Sequence, residues 1–338
     1  MTTLPLIDLT RLERGPAEAA ALRGNLLAAT HEWGFFQLTG HGIAPARMTE
    51  LFDLARSFFA LPEQQKLEIE MLKSAHFRGY TRTGGELTGG RVDWREQLDV
   101  AAEREPVSGG PAYRRLEGPN QWPSALPQLR EHVESWSDSL SALGLRLLHE
   151  WAEALGARRD LFDPAFAHDP STLIKLVRYP GRSDAQPRQG VGGHKDPGVL
   201  TLLLIDPAPT PGSGRVSTGL QVEHDGRWID VDPVPGAFVV NIGELMEVAT
   251  NGYLKATMHR VVSPPAGSVR LSVPFFLNPA LDSNIPVIDL PPELAAAAPG
   301  ITQDPANLIS GVFGDNVLKA RLRAHPDVAA RHHPDLVR

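Results

Sequence analysis

The stretch that decides the fold runs from Gly190 to Ile205 and reads Gly-Val-Gly-Gly-His-Lys-Asp-Pro-Gly-Val-Leu-Thr-Leu-Leu-Leu-Ile. Its glycine-rich start leads to His194 and Asp196, and the apolar run from Val199 has the length and composition of a buried strand. In an extended chain, residues two apart share a face, so the imidazole of His194 and the carboxylate of Asp196 are expected on one side. The stretch therefore predicts a buried strand beside two potential metal ligands.

Size and composition narrow the class of protein. The chain has 338 residues, of which 42% are hydrophobic, enough to bury a sizeable core. Its net charge of -7 argues against a general nucleic-acid binder, because phosphate binding depends on clustered Lys and Arg. The absence of cysteine excludes disulfides, thiolate metal sites and a cysteine nucleophile, so any metal must use His and carboxylate ligands. With no signal segment and no bilayer-length apolar run, we expect a cytoplasmic protein with no membrane partner.

The pattern of the chain suggests four regions. Residues 1–125 begin with alternating strands and helices and end in a stretch, 74–125, rich in Gly, Pro and charge, which we interpret as a mobile loop region that can cover an active site. Residues 126–170 contain one long supporting helix. Residues 171–280 consist of short β-rich runs between turns, typical of an antiparallel sandwich or barrel. Residues 281–338 form a helical extension and tail, with Asp304-Pro305 predicted to cap its last helix. There, Arg321 and Arg323 fit a solvated helix face.

The candidate metal site depends on several residues together. His-x-Asp occurs twice more, at His325 and His333, where we expect solvated tail residues, so the triplet alone is weak evidence. His259, however, begins another predicted strand 63 residues after Asp196. Two His and one carboxylate on one face of an octahedral ion leave three positions open, which suits non-haem Fe(II) that activates O2. A structural zinc site would need a fourth protein ligand.

A second pair of polar residues follows the third ligand. Arg270 and Ser272 alternate on a predicted strand, so the guanidinium and the hydroxyl share a face. Arg binds a carboxylate through two parallel hydrogen bonds, each contributing roughly 1.5–3 kcal/mol. The pair therefore predicts a carboxylate site near the metal. Tyr179, at the end of another strand, fits either the edge of the core or contact with a ligand.

Longer segments resemble a known family. Leu4-Pro5-Leu6-Ile7-Asp8-Leu9, Trp33-Gly34-Phe35-Phe36-Gln37-Leu38-Thr39-Gly40-His41-Gly42 and Gly118-Pro119-Asn120-Gln121-Trp122-Pro123 in the first part, and Pro235-Gly236-Ala237-Phe238-Val239-Val240-Asn241-Ile242-Gly243-Glu244 and His259-Arg260-Val261 in the second, are similar to segments of the isopenicillin N synthase-like dioxygenases that depend on 2-oxoglutarate and Fe(II). The resemblance covers most of the chain. It implies a mixed α and β protein with a mainly β core, a double-stranded β-helix (jelly roll) with flanking helices.

The resemblance also implies the roles of individual residues. His194, Asp196 and His259 would bind Fe(II), and Arg270 and Ser272 would bind the distal carboxylate of 2-oxoglutarate, with Tyr179 reaching a carboxylate of the same molecule. The family's strand motif commonly reads Arg-x-Asn-x-Tyr-Pro, whereas Lys175 and Val177 occupy the Arg and Asn positions here. The implied reaction consumes O2, converts 2-oxoglutarate to succinate and CO2, and oxidises a C–H bond of a small molecule by hydroxylation, desaturation or cyclisation.

Other functions remain open at this stage. Some members of the family keep the iron ligands and the Arg-x-Ser pair without using 2-oxoglutarate, and a non-catalytic jelly-roll binding module is a further alternative. For the substrate, Phe276 lies at strand period from Ser272, and the loop region offers Arg78, Tyr80 and Arg82. The basic residues of this loop suggest a small, carboxylated metabolite. The sequence does not indicate an oligomeric state.

Overall fold

A computed structural model describes residues 3–182, 189–206, 219–301 and 308–337. These residues form two β-sheets that face each other, with helices on the outside of the larger sheet. The strands are β1 Leu6–Asp8, β2 Phe35–Thr39, β3 Gly79–Thr81, β4 Leu87–Thr88, β5 Arg91–Val92, β6 Glu96–Ala101, β7 Leu173–Pro180, β8 Gln189–His194, β9 Leu200–Ile205, β10 Leu220–His224, β11 Arg227–Asp230, β12 Phe238–Ile242, β13 His259–Val262 and β14 Val269–Leu277.

The longer helices lie in the first half of the chain and at its carboxyl-terminal end. The α-helices are α1 Pro16–Glu32, α2 Pro45–Ala60, α3 Glu63–Leu67, α4 Leu129–Ala154, α5 Asp163–Phe166, α6 Glu244–Ala249, α7 Pro292–Ala297, α8 Phe313–Ala324 and α9 Pro326–His332. Among the described residues, no helix has the length and apolar character needed to span a bilayer.

The larger sheet has eight strands in the order β1-β2-β12-β9-β14-β7-β6-β3, and every pairing except β1 with β2 is antiparallel. Its outer face packs against α1, α2 and α4, where Phe36 and Trp151 meet edge to face at a centroid distance of 6.0 Å. On β2, Phe36 faces these helices and its neighbour Phe35 belongs to the cluster between the sheets, so this strand is buried on both faces. The helices therefore fix the larger sheet from outside and leave its inner face to the site.

The smaller sheet has the order β11-β10-β13-β8 and lies opposite the inner face of the larger one. A second apolar cluster fills the space between them, with Val177 and Tyr179 from β7, Val191 from β8, and Val222 and Val261 from β10 and β13. Two antiparallel sheets packed in this way form the predicted sandwich. The strands that carry the candidate ligands, β8 and β13, are neighbours in the smaller sheet.

The prediction of a loop over residues 74–125 is wrong for part of this range. β3 and β6 extend the larger sheet beyond β7, and β4 with β5 forms a separate hairpin. The strand β6 escapes recognition because, as well as the apolar Leu98 and Val100, it buries the charged side chains of Glu96 and Asp99. Their partners, among them Lys66 and Lys175, come from elements distant in sequence, so local pattern does not show that these charges are buried.

The carboxyl-terminal region also departs from the prediction. Asp304-Pro305 lies outside the described residues, and the helix α8 begins only at Phe313. Arg323 is exposed as expected, but Arg321 is buried, and so are His325 and His333, which we expected to be solvated. Each of the three buried side chains faces a polar partner in the body of the protein rather than solvent.

Candidate metal centre and cosubstrate site

The three predicted metal ligands meet at one end of the smaller sheet. His194 closes β8 and His259 opens β13, and the two residues are direct partners across the strands. The Nε2 atoms of His194 and His259 lie 3.6 and 3.8 Å from Oδ1 of Asp196. The three ligand atoms all lie within 4.8 Å of one another, so one ion can contact all of them.

Asp196 reaches this position by a route that differs from the prediction. β8 ends at His194, so strand alternation does not place Asp196 beside it. The carboxylate is instead turned inward by hydrogen bonds to its Oδ2, from Oγ1 of Thr201 at 2.6 Å and from Nδ2 of Asn241 at 2.8 Å. The backbone at Gly243 also passes close to that of Gly198, and only glycine allows this approach, because a Cβ at Gly243 would lie 2.1 Å from the carbonyl oxygen of Gly198.

Hydrogen bonds to backbone carbonyls determine the tautomers of the two histidine ligands. Nδ1 of His194 lies 2.8 Å from the carbonyl oxygen of Gly192, and Nδ1 of His259 lies 3.1 Å from that of Thr257. Since a carbonyl can only accept, each Nδ1 carries a proton and each Nε2 keeps its lone pair for a metal. With Oδ2 of Asp196 occupied by its two donors, Oδ1 is the oxygen left for the ion.

The electrostatics of the site also favour a metal. Burial raises the pKa of Asp196, but the imidazoles of His259 and His194 and the two hydrogen bonds to Oδ2 outweigh it and hold the pKa below its usual value. Burial, with the neighbouring His194, lowers the pKa of His259 to about 4. At neutral pH Asp196 is thus a carboxylate and His259 a neutral imidazole, the forms that bind metals.

The predicted carboxylate site lies between the two sheets. Arg270 and Ser272 on β14 face inward, and Nη1 of Arg270 donates to Oγ of Ser272 at 3.1 Å. Tyr179, the cross-strand partner of Arg270, places its ring 4.5 Å from the guanidinium carbon. Burial lowers the pKa of Arg270, and its Nε has no hydrogen-bond partner among the described residues. Arg270 is therefore a buried cation with no carboxylate partner in the described part of the chain.

Arg95, which sequence reasoning missed, adjoins the same tyrosine. Burial lowers the pKa of Arg95, but the carboxylates of Glu86 and Asp93 and a hydrogen bond with the Tyr179 hydroxyl outweigh it and raise the pKa. Burial lowers the pKa of Arg270, but Tyr179 also acts to raise it, so the same side chain acts on two buried guanidinium groups. A pattern search had no reason to select Arg95, because it precedes the unrecognised strand β6.

A cavity of about 340 Å³ opens beside the metal ligands. His194 and Asp196 lie at its wall, while His259, Arg270 and Ser272 are not among its lining residues. Phe276 and Arg78, two of the predicted substrate residues, do line it. The volume is that of a site for a small molecule.

The other two predicted substrate residues lie elsewhere. The Tyr80 hydroxyl donates to Oε2 of Glu96 at 2.6 Å and the ring is buried in the core. Arg82 is about half exposed and pairs with Glu70 at 2.7 Å. Both residues line a second depression on the far side of β3, which His194 and Asp196 do not reach.

Comparisons with known proteins agree with this site. Residues 4–125 match the family model described as "non-haem dioxygenase in morphine synthesis N-terminal", and residues 170–279 match that of the 2OG-Fe(II) oxygenase superfamily. The 2-oxoglutarate-dependent dioxygenase frbJ of Dothideomycetidae sp. (strain 11243) is 33% identical over 99% of this chain and 94% of its own length. A homoarginine-6-hydroxylase of Arabidopsis thaliana is 33% identical over 85% of this chain and 88% of its own.

A solved structure agrees as well. A 2OG-Fe(II) oxygenase family protein from Caulobacter crescentus is similar with a TM-score of 0.73 and 29% identity, covering 94% of this chain and 99% of that one. The chain belongs to the 2-oxoglutarate- and Fe(II)-dependent oxygenase family and has its double-stranded β-helix fold. It is therefore an oxidoreductase that uses Fe(II) and 2-oxoglutarate, as the resemblance implied, and the His-Asp-His group fits the iron site.

Proposed function

We propose that His194, Asp196 and His259 bind the catalytic Fe(II), and that Arg270, Ser272 and Tyr179 bind 2-oxoglutarate beside it. When bound, Fe(II) would supply activation of O2, with two of the four electrons for O2 reduction coming from 2-oxoglutarate as it becomes succinate and CO2 and the other two from the substrate that is oxidised. The small-molecule substrate lies in the 340 Å³ cavity, with Phe276 on its wall, and loses a hydrogen from a C–H bond directed at the metal.

Each group of the chain has a stated task in this proposal. His194, His259 and Oδ1 of Asp196 would hold the ion and would leave room on it for 2-oxoglutarate and O2. Thr201 and Asn241 hold the carboxylate so that one oxygen faces the ion. The sheets exclude water around Arg270, which strengthens its attraction for a carboxylate.

The observation that carries the proposal is the buried guanidinium of Arg270. Removing a cation from water is costly unless an anion accompanies it. Arg270 is 6% exposed, and its guanidinium lies beside the Ser272 hydroxyl and the Tyr179 ring. Its Nε has no hydrogen-bond partner among the described residues. A carboxylate between Arg270 and the metal ligands supplies the missing counter-charge, and 2-oxoglutarate has a second oxygen-donor end for the iron.

The test is an anaerobic titration of metal-free protein with Fe(II) and then with 2-oxoglutarate, recorded as the visible charge-transfer band between iron and the keto acid. We expect a saturable band in the wild-type protein. Iron binding without a band supports the 2-oxoglutarate-independent type of oxidase instead, and no iron binding supports a non-catalytic module. Arg227→Gln, at an exposed position of β11, is the matched control and should leave the band unchanged.

A further inference from the structure

The cavity wall away from the metal ligands is a chain of buried charges. Oε2 of Glu86 lies 2.7 Å from Arg95, and its Oε1 lies 3.3 Å from Nζ of Lys175. The same Nζ lies 3.3 Å from Asp99, whose Oδ2 is in turn 2.7 Å from Arg321 on α8. Positive and negative groups therefore alternate from the hairpin, across the sheet, to the carboxyl-terminal helix.

Arg78 adjoins this chain but is not paired within it. Its side chain donates to two backbone carbonyls, of His76 at 3.2 Å and Leu116 at 2.9 Å, and its buried Nε has no partner in the described part of the chain. No ion pair joins it to a carboxylate in the described ranges, although it is only 6% exposed. The carboxylate that acts on it most strongly, Asp99, is already bonded by Lys175 and Arg321.

The charge balance of the wall is therefore uneven. The ion-pair network beside Arg78 joins three cations, Arg95, Lys175 and Arg321, to three carboxylates, Glu86, Asp93 and Asp99, and Arg78 forms an ion pair with none of these carboxylates. Burial, together with repulsion from Arg321, lowers the pKa of Arg78 to about 9, so the group is still charged at neutral pH. A buried charge without a partner is costly, and an anion that enters the cavity relieves that cost.

We propose that Arg78 is the anchor for a single carboxylate of the primary substrate, held at the end of the cavity beside α8 while the oxidised carbon lies near the iron. The inference rests on the proposed function, because it needs the metal at His194 and Asp196 to define the reacting end. Both ends belong to one cavity. A guanidinium can bind a carboxylate through two parallel hydrogen bonds, and the Nε of Arg78 has no partner among the described residues.

The test uses the full-length protein loaded anaerobically with Fe(II) and saturating 2-oxoglutarate. The probes are matched pairs of a carboxylic acid and its primary carboxamide, of about ten non-hydrogen atoms, a size that such a cavity holds. Binding is measured by calorimetry, and the charge-transfer band is followed to discard any acid that displaces 2-oxoglutarate. Among binders, we expect the acid to bind at least about tenfold tighter than its carboxamide, a difference of about 1.4 kcal/mol.

Two variants assign this preference to a residue. Arg78→Gln keeps one N–H donor for Leu116 and removes the charge, and the acid preference should fall to within about twofold. Arg82→Gln, four residues along the same segment and outside the cavity, should keep the full preference. If Arg78→Gln no longer forms the charge-transfer band, the Arg78→Lys variant is tested instead. Lysine keeps the positive charge but lacks the planar guanidinium, so its preference for the acid over the carboxamide should lie between about two- and tenfold.

Several results would overturn the inference: equal binding of acids and carboxamides by the wild type, a full preference retained after the change at Arg78, or no acid that binds. A protein that forms the charge-transfer band but shows one of these results contradicts the role of Arg78 alone. A protein that forms no band contradicts the proposed function itself. The two failures are thus distinguishable within one experiment.

Discussion

Replacing Arg270 by Met tests the cosubstrate site most directly. The variant keeps an unbranched side chain of similar length but loses the cation that is buried between the sheets beside Ser272 and Tyr179. If Arg270 makes two charge-assisted hydrogen bonds to a carboxylate, each contributing roughly 1.5–3 kcal/mol, the binding free energy of 2-oxoglutarate falls by about 3–6 kcal/mol. The dissociation constant should therefore rise by roughly two to four orders of magnitude.

The assay is the anaerobic titration of the Fe(II)-loaded protein with 2-oxoglutarate, with Arg227→Gln as the control at an exposed site. Iron binding itself should be unchanged in the Arg270→Met variant, because none of the three metal ligands contacts Arg270 through a hydrogen bond or ion pair among the described residues. A change of less than about tenfold in the 2-oxoglutarate constant would refute the assignment of the carboxylate to Arg270.

The same variant makes an opposite prediction for the free protein. Arg270 is buried, and its Nε has no partner in the described ranges, so the unliganded fold bears the cost of a desolvated charge. An apolar side chain of similar size removes that cost, and the thermal midpoint without 2-oxoglutarate should stay the same or rise. A marked loss of stability together with weak binding would instead indicate that Arg270 mainly supports the packing of β14.

Three further changes test other parts of the site. His194→Ala should abolish turnover and weaken Fe(II) binding while leaving the urea midpoint nearly unchanged, and full activity would contradict the ligand assignment. Ser272→Ala removes one neutral hydrogen bond, about 0.5–1.5 kcal/mol, and should weaken 2-oxoglutarate binding about two- to tenfold in the same titration. Burial raises the pKa of Asp99, but Lys175 and Arg321 outweigh it and lower the pKa below 3.8, so its contribution to stability is present above that pH and is lost on acidification. Asp99→Asn should therefore cost about 3 kcal/mol at pH 7 and progressively less as the pH falls below 3.8 toward the lowered pKa, measured by urea unfolding, and a cost that does not decrease on acidification would contradict this.

The sequence predicts the centre of the site well because strands of apolar residues frame it. His259, Arg270 and Ser272 lie on strands whose hydrophobic pattern is clear, and the structure places all three inside the sandwich. His194 is harder, because the strand that carries it reads Gln-Gly-Val-Gly-Gly-His and has little side-chain pattern of its own. Its pairing with β13, rather than its composition, makes it a strand.

The substrate end of the cavity is predicted poorly because ion pairs replace apolar contacts there. A charged residue in a strand or a helix reads as a solvated face unless its partner is known. Asp99 and Arg321 are 222 residues apart, and neither position alone indicates burial. The same argument accounts for His325, which lies 1% exposed against Phe77 and Glu86 although its place in the sequence predicts a solvated tail.

The proposed iron site and the substrate end of the cavity are built from different elements of the fold, so each can change without the other. Most of the residues proposed to bind the metal and the carboxylate lie on β8, β13 and β14, where a displaced strand would disturb the sheets, and Asp196 follows β8 directly. The cavity wall that faces the proposed substrate site includes residues of the hairpin, β6, β7 and α8, where buried charges form ion pairs and Arg78 has none among the described residues. Exchanging one pair there, or adding one cation such as Arg78, changes the charge offered to a substrate without moving the iron site. Because a site rather than a fold determines function, a change at this end of the cavity could alter the substrate while the fold and the proposed iron site stay the same.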